Sequence, residues 1–142
     1  MEKKKNKMEL EKLYSIANKE NIPIISFKMK NKAIIGVIDN QYCIGINYSK
    51  IDNLVQEKEI LAEELGHYYC NSLYNINSDE ETIRKKEYRA RKWAFSTLVP
   101  ISSLTRLKEK GYKYSYEYAE ELGVSEELID TAYTYYKENL YI

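Results

Sequence analysis

Residues 60–70, ILAEELGHYYC, decide how the chain is read. Glu63 and His67 are four positions apart, so on a helix they project from one face, about one turn apart. Glu64 lies about 100° around from Glu63 and can reach towards an ion held on that face without ligating it. Ile60, Leu61, Leu65, Tyr68 and Cys70 surround these polar groups with apolar side chains. Two carboxylates crowded in such a setting favour a bound cation or a raised pKa. His67 is also the one histidine of the chain. The pattern differs from the zinc-binding His-Glu-x-x-His helix by one residue, Glu63 in place of the first imidazole. The bland alternative, a surface Glu-Glu pair beside an incidental histidine, leaves the apolar surroundings unexplained.

A catalytic Zn²⁺ needs a third protein ligand and an open position. Asp79, Glu80, Glu81 and Glu87 are the acids that follow. The first three cluster where a helix begins, and capping and the helix dipole explain acids there. Glu87 falls instead on a stripe with Ile83, Ala90, Ala94 and Leu98, where an unpaired carboxylate is expensive to bury. Glu87 is therefore the expected third ligand; pairing with a lysine or arginine is the competing explanation.

Working outward, apolar spacing predicts a helix over residues 8–20, ended by the polar NKEN run and Pro23. IISFKM, AIIGVI and YCIGIN follow as short Ile- and Val-rich runs. Asn31-Lys32 and Asp39-Asn40 supply turn residues between them, so a three-stranded antiparallel meander is expected. Gly36 and Gly45 are candidates for bulges or close backbone approach. Helices are expected over 54–71, 79–98 (stopped by Pro100), 101–109, 114–122 and 125–139, with Gly111 and Gly123 as breaks. Strands followed by helices predict an α+β class. No repeat or linker divides residues 1–142, so one domain is expected.

Lys+Arg and Asp+Glu balance at 22 each, so no overall field draws the chain to nucleic acid or to an anionic membrane. No run approaches the roughly 18 apolar residues that span a bilayer. Two cysteines, Cys43 and Cys70, make no secreted-type disulfide framework, so a reducing cytoplasm is the expected compartment. Fifteen tyrosines against two phenylalanines are read as a product of AT-rich coding and not as a sign of function. Both cysteines, Trp93 and Phe95 are expected in the core, Cys70 being the one with an alternative as a stray ligand.

These stretches together, ILAEELGHYYC and then EYRARKWAFSTLVP, resemble the ImmA/IrrE family of small metallopeptidases from bacteria and mobile elements. That family pairs an [HE]-E-x-G-H-type helix with a downstream segment matched here by Glu87, Ala90, Trp93, Ala94, Leu98 and Pro100. The flanking helix, strands and tail are similar too, so the resemblance covers nearly the whole chain. It implies a zincin-like fold, metal ligands at Glu63, His67 and Glu87, and Glu64 as general base. It further implies Zn²⁺ as the ion, and a carboxylate at position 63 makes the harder Mn²⁺ or Fe²⁺ the alternatives. The implied activity is that of a metallo-endopeptidase that cleaves or inactivates a helix-turn-helix repressor of a phage or mobile element. The alternative is a non-catalytic anti-repressor of the same fold that titrates the repressor.

The departure is Glu63, since many members have histidine there. A carboxylate lowers the net charge of ion plus ligands by one unit, which weakens Lewis acidity and favours harder ions. A slow site is the expectation. The tail YEYAEELGVSEELIDTAYTYY has a helix-turn-helix look, but Glu117, Glu120, Glu121, Glu126, Glu127 and Asp130 carry the wrong sign for phosphate. Two packed helices that help hold a protein substrate are expected there, without direct contact to nucleic acid.

Overall fold

A computed structural model describes residues 2–71, 73–74 and 77–139, the side chains of residues 2 and 3 excepted. Helix α1 (Glu2–Lys19) leads to strands β1 (Ile24–Ser26), β2 (Ala33–Ile38) and β3 (Gln41–Ile46). Five helices follow: α2 (Leu54–Tyr69), α3 (Glu80–Leu98), α4 (Ile101–Glu109), α5 (Ser115–Leu122) and α6 (Glu126–Glu138). The α+β class holds, and the predicted helix bounds agree to within two residues except for α1, which begins six residues early. Among the described residues no helix is long and apolar enough to cross a membrane.

The sheet differs from the predicted meander. Its order is β1-β3-β2, with β2 antiparallel to β3 but β1 parallel to it. The β2–β3 hairpin turns where expected, at Asp39 and Asn40, both with positive φ (51° and 65°) as a tight primed turn requires. The first connection does not form a hairpin. Residues 27–32 instead wrap around the end of β3 and deliver β2 to its far side. Asn47, just past β3, fastens this wrap: its amide nitrogen donates to the Met29 carbonyl at 2.7 Å and its backbone N–H to that of Lys32 at 2.8 Å. The crossing puts β3 in the centre, where Ile44 and Ile46 are fully buried. Pairing of β2 with β3 runs through Gly36 and Gly45 without a bulge. A methyl group at either glycine would meet nothing closer than ordinary contact, so the reading of these two as special backbone positions is overturned.

Two cores result. Leu10, Leu13 and Ala17 of α1, Ile44 and Ile46 of β3, and Leu61, Ala62 and Leu65 of α2 form the first. Phe95 and Val99 at the end of α3 pack with Leu104, Leu107, Ala119, Leu122, Ile129 and Tyr136 in the second. Helix α3 belongs to both, since Ala94 joins the first core and its neighbour Phe95 the second.

Candidate metal centre

Helix α2 starts because the Asn53 side chain accepts the Gln56 N–H at 2.8 Å, satisfying one of the orphan donors of its first turn. Helix α3 starts in the same way, with Asp79 accepting from Thr82 at 2.7 Å. That bond also holds the Asp79 carboxyl below its usual range, and Asp79 is thus a cap, as its position implied. The two helices pack against each other at a point where no side chain fits between them. A Cβ on Gly66 would lie 2.4 Å from the Ala90 carbonyl oxygen. Gly66 therefore permits the approach that brings Glu87, about one turn before Ala90, up to His67. In the sequence this glycine appears only as part of the Glu-Glu-Leu-Gly-His pattern, with no role assigned to it.

The three expected ligands converge. One donor atom each from Glu63, His67 and Glu87 lies within 4.8 Å of the others. His67 Nε2 is 3.5 Å from Glu87 Oε2, about the separation of two ligands around a tetrahedral ion at 2.0–2.2 Å. His67 is buried and both carboxylates are half-buried. Among the described residues, the ion-pair partner of Glu87 is His67 and not a lysine or arginine. Cys70 stands apart from the group, its thiol directed at the Arg89 carbonyl at 3.6 Å.

The electrostatics are those of too many acids for the available cations. Burial pushes the Glu63 carboxyl up, and so does a hydrogen bond shared with Glu87, with Arg91 opposing them. Glu64 is raised to about 7, first by burial and then by the charges of Glu63 and Glu87, against the pull of His67. Glu87 goes the other way, to about 2, because His67 donates to it and so does Tyr74. Two carboxyls that share a proton beside an imidazole are a donor set that fits a divalent cation, which would replace that proton. Glu64 belongs to the same field yet supplies none of the three converging donor atoms.

Tyr68 and Tyr69 flank His67, but neither has a hydroxyl free to serve the site from where it stands. The Tyr68 hydroxyl donates to Glu20 at 2.8 Å, and the Tyr69 hydroxyl is hydrogen-bonded to the same carboxylate while its ring stacks on Trp93 at 5.0 Å between centroids. The phenol that reaches the cluster is Tyr74, whose hydroxyl donates to Glu87 Oε1 and is pushed up to about 12 by that bond. Sequence reasoning missed it, because no periodicity marks a loop residue. A cavity of about 760 Å³ lies elsewhere, between α4, α5 and α6, and contains none of the clustered acids.

The family model of the IrrE N-terminal-like domain (Peptidase_M78) matches residues 17–133. That is most of the chain, which belongs to this metallopeptidase family. Neither the curated proteins nor the solved structures gave a match.

Proposed function

We propose that this chain is a metal-dependent endopeptidase whose substrate is a helix-turn-helix repressor of a phage or mobile element. The observation that carries the reading is the convergence of Glu63, His67 and Glu87 within 4.8 Å on two helices held in contact at Gly66. These three residues would hold the ion, Zn²⁺ in the first instance. When bound, the ion supplies Lewis acidity to a water and to the scissile carbonyl. Glu64 stands beside the ligands without supplying one of the converging donor atoms, and burial raises its carboxyl, the direction that suits a general base at neutral pH. It takes a proton from the attacking water and returns it to the leaving nitrogen.

Support for an extended peptide substrate comes from the sheet. Among the described residues nothing pairs with the outer edge of β2, β2 packs against α2, and Ile34, Val37 and Ile38 are exposed along it. A peptide that adds there as a further strand is held through its backbone, with pockets for alternate side chains. Glu63 as ligand makes the expected turnover slow, for the charge reason given above.

The test is intact-mass analysis of a candidate repressor encoded beside this chain, incubated with the purified protein. Fragments are expected that vanish with a chelator, and Glu64→Gln is expected to lower cleavage by ~10²–10⁴-fold at unchanged metal content. A stoichiometric complex with an intact repressor, indifferent to Glu64→Gln, would replace hydrolysis with titration as the mechanism.

A further inference from the structure

We infer that Tyr74 is a positioning residue of this centre: its hydroxyl holds one carboxylate oxygen of Glu87, so that the other is presented to the ion. The inference rests on the ligand assignment proposed above and adds a residue to it. The two oxygens of Glu87 are engaged by different residues, and Glu63 shares a further hydrogen bond with the same carboxylate. Oε2 faces His67 Nε2 at 3.5 Å, while Oε1 accepts from the Tyr74 hydroxyl. A carboxylate held in this way offers one oxygen in one direction and is disposed to bind as a monodentate ligand. Without the phenol, Oε1 would lose the partner that fixes it, and the carboxylate would be held only from the His67 and Glu63 side.

Burial does not explain where this hydroxyl goes. Tyr74 is 39% exposed, so water could satisfy it, yet it is directed inward to Glu87. Its ring also stands edge-on to His67, with centroids 6.1 Å apart at 65°, so one side chain touches two of the three ligands. The local chain is built to put it there. Asn71, with φ of 48°, turns the backbone out of α2, and Cys70 just before it is tied to α3 through the Arg89 carbonyl. Lys86 then reaches from α3 to the Leu73 carbonyl. Lys86 and Glu87 are consecutive, so the same turn of α3 fixes the loop backbone and carries the ligand that the loop orients. Partners of this outer kind typically change metal affinity by 10–100-fold.

The experiment compares the full chain with Tyr74→Phe, which keeps the ring against His67 and removes only the hydroxyl. Zn²⁺ affinity is read by competition with a chromophoric chelator, and ligand geometry from the visible spectrum of the Co²⁺ form. We expect ~10–100-fold weaker Zn²⁺ binding, an altered Co²⁺ spectrum, and unchanged thermal unfolding of the metal-free protein. Equal affinity and identical spectra in the two proteins would overturn the role of Tyr74 and leave the centre intact. Failure of the unmodified chain to bind either ion would remove the metal reading, and this inference with it.

Discussion

Helix α2 carries buried charge on two faces, and the two are managed in opposite ways. On the side towards α1 and the α5–α6 turn, Lys58 is fully buried, yet its ammonium meets Glu9 at 2.7 Å and Asn6 at 3.2 Å. On the side towards α3, Glu63, Glu64 and Glu87 face one histidine and raise one another's proton affinity, Glu87 excepted. The first face is complete as folded. The second is complete only with an added cation or proton, and this is the physical difference between a structural ion pair and a binding site.

That contrast can be broken from either side, and the largest effect is expected on the incomplete one. In the metal-free protein the raised carboxyl of Glu64 means that the folded state holds a proton which the unfolded state has released. Its contribution to stability is therefore full below about pH 4.5 and is lost as pH rises through about 7. Glu63 acts with the same sign. Glu87, being lowered, adds stability above about 4.5 that is lost only as pH falls towards 2, outside this window. Urea unfolding with a chelator present should thus show stability falling by on the order of 3 kcal/mol between pH 4.5 and 8. Saturating Zn²⁺ should reverse the trend. A metal-free curve that rises across this window would mean that the acids are not coupled as described.

Breaking the complete face should be slightly less damaging and independent of metal. Glu9→Gln leaves the buried ammonium of Lys58 without its counter-charge. The expected loss is about 2–3 kcal/mol, below the usual range for a broken buried pair because Glu9 is 30% exposed and Asn6 remains. Chemical denaturation with and without Zn²⁺ checks it; an equal loss in both conditions keeps the two faces separate, and a loss confined to one would couple them.

The smallest expected stability change probes the contact that joins the incomplete face to α3. Gly66→Ala gains about 1 kcal/mol of helix propensity but drives a methyl into the Ala90 carbonyl. Overpacking of that kind typically costs about 1–3 kcal/mol, leaving a net loss of about 0–2 kcal/mol. Metal affinity should suffer more than stability, because the separation between His67 and Glu87 is what changes. Isothermal titration with Zn²⁺ measures this, and full-strength binding by the variant would show that the close approach is dispensable.

Much of this molecule could be read from its sequence. Helical spacing put Glu63 and His67 on one face of α2, and an acid on the apolar stripe of α3 singled out Glu87. Those inferences needed only local periodicity, which the helix geometry translates directly into direction. Caps and the Asp39-Asn40 turn were legible for the same reason, since their backbone requirements are met within a few residues. What periodicity could not supply was pairing between distant segments. The IISFKM run reads equally well as the first strand of a meander or as a parallel edge; in the fold it pairs with the second edge of β3, which leaves Ile44 and Ile46, on one face of the central strand, fully buried. Gly66 likewise acquires its role only when the Ala90 carbonyl is beside it, and Tyr74 only when Lys86 has tied down its loop. Each of these depends on a contact across the fold, where residue type is permissive and packing decides.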